Sequence, residues 1–211
     1  MNSDGDWAVV KSRKRVPASL PATRTFPDDY PVAVQFPARI LPRLLNDPYL
    51  RNCFETGSSG GTTSFKDRKY WEDGLFSQYG PRTPLYVRPK YGFLYGVNEV
   101  TLTFGDCLFL MNSGIRRHCT ATLGDSSRAT RAYGLESLPF SPTYARGKTS
   151  LDCGHFDNYV EVQIHLPRVR LATYVDTLIT STDYLRDEQV KSQAEALSEK
   201  LDCKLEWRKR F

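Results

Sequence analysis

Apolar and polar residues alternate most regularly between Tyr159 and Leu166. Alternation with a period of two is typical of a β-strand whose two faces meet different surroundings. One face of this strand carries only apolar residues and is expected to face the core. The other face carries Tyr159, Glu161, Gln163 and His165 in a row. This second face is either the solvated side of an edge strand or the polar wall of a functional site.

Hydrophobic patterning predicts several further short elements along the chain. Alternating or continuous apolar runs predict strands at Leu85–Pro89, Tyr91–Tyr95, Val100–Phe104, Cys107–Met111, His118–Leu123 and Cys203–Trp207. Apolar residues at helical spacing predict helices at Ile40–Leu45, Tyr70–Phe76, Leu171–Ile179 and Val190–Leu201. Residues 128–154 show no period and are expected to form one long loop. Short, mostly antiparallel strands flanked by a few helices predict an α+β fold.

Length and composition predict one folded domain with a short N-terminal extension. The chain has 211 residues, of which 40% are hydrophobic, and this is enough to bury a core. Residues 1–45 are polar, basic and rich in proline, and we expect them to serve in delivery or in partner recognition. Residues 46–211 are then expected to form the functional domain.

Charge and cysteine usage exclude several classes of protein. The formal net charge of +5 is modest, and basic runs lie only near the two ends, so no nucleic-acid partner is expected. Five scattered cysteines without a CxxC pair predict reduced thiols rather than a zinc site or a disulfide framework. No apolar run reaches the ~20 residues of a membrane helix, and no apolar region marks a cleaved secretory signal. We expect a monomer that does not associate with membranes.

A glycine-rich stretch, Phe54–Gly61, reads FETGSSGG. Glycine allows a positive φ and a close approach of the backbone to a ligand. Successive N–H groups in such a turn form a concavity that suits an anion or an amide. The alternative is a flexible surface turn, which is the usual structure of Gly/Ser clusters.

Five motifs in a fixed order carry a resemblance to a known family. They are FETGSSGG, DRKYWEDGLF, RPKYGFL, the Gly124-Asp125-Ser126 turn and YVEVQIH. Together they resemble a bacterial domain family of unknown function, which is in turn similar to ADP-ribosyltransferases, including effectors that modify a threonine of ubiquitin. The resemblance covers residues 50–179. It departs from the family pattern at Gly60, where the family has Asn, and at Leu166, where it has Gly.

The resemblance implies an ADP-ribosyltransferase-like fold, with the strands in two packed sheets, and NAD as the substrate. Thr56, Gly57 and Ser58 stand where such enzymes carry the His-Gly-Ser or His-Gly-Thr that binds nicotinamide, although Thr56 replaces the histidine. Tyr91 is expected to stack on the nicotinamide ring. Arg88 is expected to pair with a phosphate, a role that suits a guanidinium.

The resemblance also assigns catalytic roles. Transfer of ADP-ribose breaks the bond between nicotinamide and ribose through an oxocarbenium-like transition state, as in glycoside hydrolysis. Glu161 is the carboxylate expected to stabilise this charge, and Gln163 is expected to orient the ribose or the acceptor. Removal of the acceptor proton requires a second group, for which Asp125 is the candidate and Asp106 and His165 are the rivals.

Each of these residues except Glu161 also has an ordinary structural interpretation. Arg88 fits the partner of a structural carboxylate equally well. Asp125 fits a turn cap, Tyr91 fits a core position, and His165 fits a half-buried histidine with satisfied nitrogens. No metal site is predicted, because His118 and His155 have no partners at metal-ligand spacing.

These observations predict an NAD-dependent mono-ADP-ribosyltransferase that acts on a host protein, with a threonine of ubiquitin as the acceptor that the resemblance suggests. Such a protein would be a toxin or virulence effector, secreted without a cleaved signal peptide and active in the host cytoplasm. One alternative is a binding or inhibitory module that kept the fold and lost catalysis. Another is an RNA-binding or RNA-cleaving protein, indicated by the basic ends and the interspersed tyrosines.

Overall fold

A computed structural model describes residues 30–58, 64–96, 104–129, 131–135 and 160–209. Ten strands lie in these ranges: β1 Val32–Phe36, β2 Tyr49–Leu50, β3 Lys90–Leu94, β4 Cys107–Met111, β5 Cys119–Leu123, β6 Tyr133–Gly134, β7 Val160–Ile164, β8 Val169–Arg170, β9 Val175–Ser181 and β10 Lys204–Arg208. The α-helices are α1 Leu41–Asn46, α2 Cys53–Thr56, α3 Phe65–Leu75, α4 Leu171–Tyr174 and α5 Glu188–Leu201. Short 3-10 helices cover Ala38–Ile40, Leu85–Val87, Ser113–His118 and Thr182–Tyr184.

The strands form two sheets of very unequal size. Eight strands hydrogen-bond in the order β10-β9-β4-β1-β3-β7-β5-β6, and β2 pairs with β8 in a separate ribbon. Every pairing is antiparallel except that of β9 with β10, which is parallel. The predicted α+β class with mostly antiparallel strands is confirmed.

The main core lies on one face of the large sheet. Alternate residues of β1 and β7 point into it, and the amphipathic helix α5 adds Ala194, Leu197 and Leu201, all buried. Helix α1 packs against α5 and contributes Leu41 and Leu44. A smaller apolar cluster of Ala33, Phe93, Leu108 and Ile179 lies apart from this core. Both faces of the central strands are therefore covered.

Two predicted elements are wrong. The helix expected over Leu171–Ile179 is a single turn, α4, followed by strand β9. Strand β9 is rich in β-branched residues and has a hydrogen-bonding neighbour on each side, β4 and β10, which favours an extended backbone. The strand expected over Leu85–Pro89 is a 3-10 turn with prolines at its borders. Proline has no N–H to give to a ladder, so the strand begins only at Lys90.

The predicted domain boundary after residue 45 does not match the sheet. Strand β1 lies between β4 and β3 at the centre of the sheet, and α1 lies in the core. Residues 32–46 therefore belong to the same folded unit as the rest of the large sheet. Residues 1–29 of the predicted segment lie outside the described residues, as do residues 100–103 of the predicted strand Val100–Phe104 and most of the predicted loop 128–154. In the described part of the chain, no helix combines the length and apolar character needed to cross a bilayer.

Candidate active site

Strand β7 places Glu161 and Gln163 on the face of the sheet opposite the main core. Val160, Val162 and Ile164 point into that core and are fully buried. Glu161 and Gln163 are also buried, at 8% and 0% exposure, and β7 lies between β3 and β5 inside the sheet. The alternation predicted for this strand is present, but its polar face is enclosed rather than solvated.

N–H donors from β7 itself and from the turn after β5 hold the Glu161 carboxylate. Its Oε1 accepts a hydrogen bond from Gln163 Nε2 at 3.1 Å and one from the backbone N–H of Ser126 at 3.3 Å. Ser126 belongs to the turn after β5, in which Gly124 has a φ of 85°. The Gly124-Asp125-Ser126 turn and Glu161 therefore meet, although they lie far apart in the sequence.

Asp125 caps this turn. Its Oδ1 accepts a hydrogen bond from the backbone N–H of Ser127 at 2.8 Å, so the turn-cap interpretation holds. The position next to Ser126 also keeps Asp125 close to the backbone that holds Glu161. The rival Asp106 precedes β4, three strands from β7, and accepts a hydrogen bond from the Tyr184 hydroxyl at 2.9 Å. The fold therefore brings Asp125, and not Asp106, towards Glu161.

The Gln163 amide is bonded at both ends. Its Oε1 accepts from Thr120 Oγ1 at 3.0 Å, and its Nε2 donates to Thr122 Oγ1 at 3.1 Å as well as to Glu161. Thr120 is the register partner of Gln163 on β5, and Thr122 is that of Glu161. Two adjacent strands thus build one buried polar layer.

Tyr91 on β3 lies next to this layer as the register partner of Gln163. Its hydroxyl donates to Glu72 Oε1 at 2.9 Å, and the Arg68 guanidinium lies over its ring, 4.5 Å from the centroid. Burial raises the pKa of Tyr91 well above its ordinary value, and the charges of Glu72 and Glu161 act in the same direction. One face of the ring is therefore occupied by Arg68, and stacking of nicotinamide on Tyr91 stays a prediction for the other face.

Arg88 has a structural role, and the predicted pairing with a phosphate is wrong. The side chain is fully buried, its Nη1 donates to Glu72 Oε2 at 2.9 Å, and its Nη2 donates to Asp73 and to the Gly80 carbonyl oxygen. A buried guanidinium is costly unless it is paired and hydrogen-bonded. The two carboxylates of α3 meet this requirement and leave no access for a ligand.

Arg68 is the arginine that the sequence analysis missed. It lies one helical turn before Glu72 on α3, and its Nε is buried without a hydrogen-bond partner among the described residues. Burial lowers the pKa of Arg68, but the charges of Tyr91, Cys53 and Glu161 outweigh it and raise the pKa overall. The (i, i+4) spacing of Arg68 and Glu72 in the DRKYWE motif is the sequence signal that both face the same side of a helix.

Thr56, Gly57 and Ser58 end the short helix α2, whereas the resemblance places them on a strand. Gly57 is the C-terminal cap with a φ of 70°, and the Thr56 hydroxyl bonds to backbone carbonyls, including that of Ser58 at 2.9 Å. An Asn52 capping box begins this helix. Since Cys53–Thr56 form only one turn, which is marginal on its own, this cap stabilises the helix. Gly57 and Ser58 are exposed, and residues 59–63 of the glycine-rich turn lie outside the described residues.

His165 lies at the far end of the polar layer and has both ring nitrogens bonded. Nδ1 lies 2.7 Å from the Tyr79 hydroxyl and 3.2 Å from Gln78 Nε2, and Nε2 lies 2.7 Å from Thr120 Oγ1. Burial, with a further contribution from the Lys90 charge, lowers the pKa of His165 to about 4. His165 is therefore neutral near pH 7 and does not reach Glu161 directly. Within the described ranges, no group of His, Cys, Asp and Glu residues is arranged to hold a metal ion.

Comparison with known proteins identifies the family. Residues 29–141, more than half of the chain, match the model of the family "Protein of unknown function (DUF3626)", and the chain belongs to that family. A comparison with curated proteins gives no match.

Solved structures of DarT from Thermus sp. 2.9 share the fold. The complex with ADP-ribosylated ssDNA superposes with a TM-score of 0.55 at 8% identity, over 89% of this chain and 98% of DarT. The complex with carba-NAD+ gives 0.54 at 9% identity, over 87% and 98%. The complex with NAD+ gives 0.51 at 9% identity, over 88% and 98%. The ADP-ribosyltransferase-like fold that the resemblance implied is thus confirmed as a fold similar to that of DarT.

The DarT complexes also correct the predicted partner. A host protein was expected as the acceptor and nucleic acid was excluded, but the DarT structure with the highest of these TM-scores contains ADP-ribosylated single-stranded DNA. The narrower resemblance to effectors that modify ubiquitin finds no support in these comparisons.

Proposed function

We propose that this protein is an NAD-dependent mono-ADP-ribosyltransferase whose acceptor is single-stranded DNA. The observation that carries the proposal is the buried Glu161 carboxylate, held by the N–H groups of Gln163 and Ser126 on a fold shared with DarT. The solved DarT complexes contain NAD+, carba-NAD+ and ADP-ribosylated DNA, which supports the same substrate classes here.

Glu161 is the residue to which we assign the transfer chemistry. When the bond between the nicotinamide nitrogen and the ribose C1′ breaks, nicotinamide leaves with the bonding electrons and positive charge develops on the ribose. A fixed carboxylate next to this charge stabilises the transition state more than the ground state. The acceptor atom of the DNA then bonds to C1′ and loses its proton, for which Asp125 remains the candidate base.

Arg68 replaces Arg88 as the residue proposed to bind the diphosphate of NAD. Its buried Nε makes no hydrogen bond to the described residues, and its charge interacts with Glu161. A guanidinium pairs with phosphate oxygens through two parallel N–H bonds. The face of Tyr91 opposite Arg68 and the exposed backbone at Gly57 and Ser58 remain the proposed contacts for nicotinamide.

The test is incubation of the purified protein with NAD and single-stranded DNA oligonucleotides of mixed sequence, followed by mass spectrometry of the DNA. We expect an ADP-ribose adduct, free nicotinamide, and a loss of at least about a hundredfold in rate for Glu161→Gln, which keeps the shape and removes the charge. Release of nicotinamide without a DNA adduct would overturn the acceptor. Absence of both products would overturn the activity. A toxin role and secretion without a cleaved signal peptide stay predictions from the sequence.

A further inference from the structure

We propose that Tyr79, His165 and Thr120 form a one-way hydrogen-bond relay that sets the orientation of the Gln163 amide and thereby presents a donor to Glu161. This inference rests on the proposed function, since it makes these three residues positioning residues for the proposed carboxylate. The relay consists of side chains from the segment after α3, from the end of β7 and from β5.

The direction of the relay is fixed at the His165 end. Gln78 Nε2 and the Tyr79 hydroxyl both face Nδ1, at 3.2 and 2.7 Å. An amide nitrogen can only donate, so Nδ1 is the accepting nitrogen of the ring. A neutral imidazole with an accepting Nδ1 carries its proton on Nε2. Nε2 therefore donates to Thr120 Oγ1 at 2.7 Å.

The next step follows from the single hydrogen of a hydroxyl. Because Thr120 Oγ1 accepts from His165, its own hydrogen is available for Gln163 Oε1 at 3.0 Å. The oxygen end of the Gln163 amide is then held at Thr120. Its nitrogen end faces Glu161 Oε1 and Thr122 Oγ1, both at 3.1 Å.

The contact between Gln163 and Glu161 requires the same orientation of the Gln163 amide, without reference to His165. A carboxylate only accepts hydrogen bonds, so the amide must present Nε2 to it. A flipped amide would place its oxygen against the carboxylate and leave two acceptors facing each other. The polarity deduced from His165 and the polarity deduced from Glu161 agree.

The surroundings of His165 keep the ring neutral. The groups that face it are Tyr79 and Gln78 from the segment after α3, Lys90 from β3 and Thr120 from β5, while its backbone N–H donates to the His118 carbonyl oxygen at 2.9 Å. Lys90 contributes a positive charge, and the ring lies edge-on to Phe76 with centroids 4.9 Å apart. Protonation of Nδ1 would turn this acceptor into a donor facing an amide donor, and the relay would break.

The first experiment reads the tautomer and does not need activity. In ¹⁵N-labelled protein, long-range proton–nitrogen correlation spectra distinguish the two imidazole nitrogens, and comparison with His165→Gln assigns the signal among the three histidines of the chain. We expect His165 with the proton on Nε2 between pH 8 and 5, and conversion to a mixture of tautomers in Tyr79→Phe. A proton on Nδ1 in the wild type, or titration near an ordinary pKa of about 6.5, would overturn the relay.

The second experiment separates positioning from packing at Thr120. Thr120→Val keeps the shape and removes the hydroxyl, whereas Thr120→Ser keeps the hydroxyl and removes a methyl group. We expect kcat for nicotinamide release to fall about fivefold to tenfold in Thr120→Val, with an unchanged KM for NAD, and to stay near the wild-type value in Thr120→Ser. Thr180→Val is the matched control, because Thr180 is a buried threonine on β9, four strands from β7.

A double variant tests whether Tyr79 and Thr120 act on kcat through the same relay. Tyr79→Phe is expected to lower kcat like Thr120→Val, and the double variant is expected to lose little more than either single variant. Losses that multiply, or a Thr120→Ser variant as slow as Thr120→Val, would overturn the relay. A wild type that neither releases nicotinamide nor modifies DNA would overturn the proposed function, and the tautomer experiment would still decide on the relay.

Discussion

Arg88 and Glu72 form an ion pair in which Nη1 and Oε2 lie 2.9 Å apart and the two side chains are 0% and 1% exposed. The pair joins the start of β3 to helix α3, and Glu72 in turn accepts the hydrogen bond from Tyr91. Burial raises the pKa of Glu72, and the hydrogen bonds from Arg88 and Tyr91 oppose this shift. This pair therefore supports the wall of the site that Arg68 and Tyr91 form.

Removal of one partner of this pair is expected to destabilise the fold. In Arg88→Met, the buried Glu72 loses its counter-ion, and we expect the free energy of unfolding to fall by about 3–5 kcal/mol. Arg51→Met is the matched control, because Arg51 pairs with Asp47 and Glu55 on the surface and should cost less than about 1 kcal/mol. Urea unfolding followed by circular dichroism measures both variants. Equal losses would show that the Arg88 pair does not support the fold.

Arg68 is expected to affect ligand binding and not folding. If its guanidinium binds the diphosphate, Arg68→Met should weaken NAD binding by about 10–100-fold, which corresponds to one or two charge-assisted hydrogen bonds. Arg82→Met removes the same charge from an exposed position and serves as the control. Isothermal titration calorimetry with NAD measures the dissociation constants. Similar affinities for the two variants would exclude Arg68 from the NAD site.

Gly92 on β3 lies against the backbone of β1. A Cβ atom at this position would lie 2.3 Å from the Ala33 carbonyl oxygen, so Gly92→Ala must push the two strands apart. We expect a loss of stability of about 1–3 kcal/mol. Gly74→Ala in α3 meets no atom within 4 Å and should instead stabilise the protein by about 0.5–1 kcal/mol. Thermal unfolding that moved both melting temperatures in the same direction would contradict this prediction.

The depressed pKa of His165 predicts a stability that falls in acid. The ring titrates at about 4 in the folded protein, below its ordinary value, so the unfolded chain binds the proton more readily in this range. The contribution of the neutral His165 ring to the free energy of unfolding is therefore complete above about pH 6.5 and is lost as the pH falls towards 4. It amounts to about 2 kcal/mol after allowance for the partial exposure of the ring.

Comparison of the wild type with His165→Gln isolates this effect from the titration of carboxylates. The free energy of unfolding, measured in urea from pH 7 to pH 4, should fall more steeply in the wild type than in the variant. The same slope in both proteins would show that His165 does not titrate with a depressed pKa.

Local patterns were sufficient to predict the elements whose burial follows a simple period. Three examples are the alternation in β7, the apolar run of β4 and the stripe Ala194, Leu197, Leu201 of α5. In each of them, the position of a residue within its own element is enough to predict its burial. Strand β9 was mistaken for a helix because Leu171, Val175 and Leu178 also fit helical spacing. Its conformation is decided by pairing with β4 and β10, which no local pattern reveals.

The site was harder to predict because the partners of its side chains are distant in sequence. Arg88 looked available for a phosphate until the fold showed that two carboxylates of α3 neutralise it. The alternation of β7 drew attention to Glu161, but the Ser126 N–H that bonds to its carboxylate comes from a turn 35 residues earlier in the chain. The exclusion of nucleic acid was wrong because a modest net charge does not rule out binding of single-stranded DNA, to which proteins bind through a few aromatic and basic groups in a groove.

The central place of β1 has a consequence for anyone who shortens this protein. A chain cut after residue 45 would lose the strand that joins β3 to β4, and the sheet would be divided into two halves with an unpaired edge on each. Unpaired edges of this kind template the association of chains with one another. Such a fragment is expected to be recovered as aggregate, whereas the Val32–Phe36 peptide, added during refolding, could restore the missing strand.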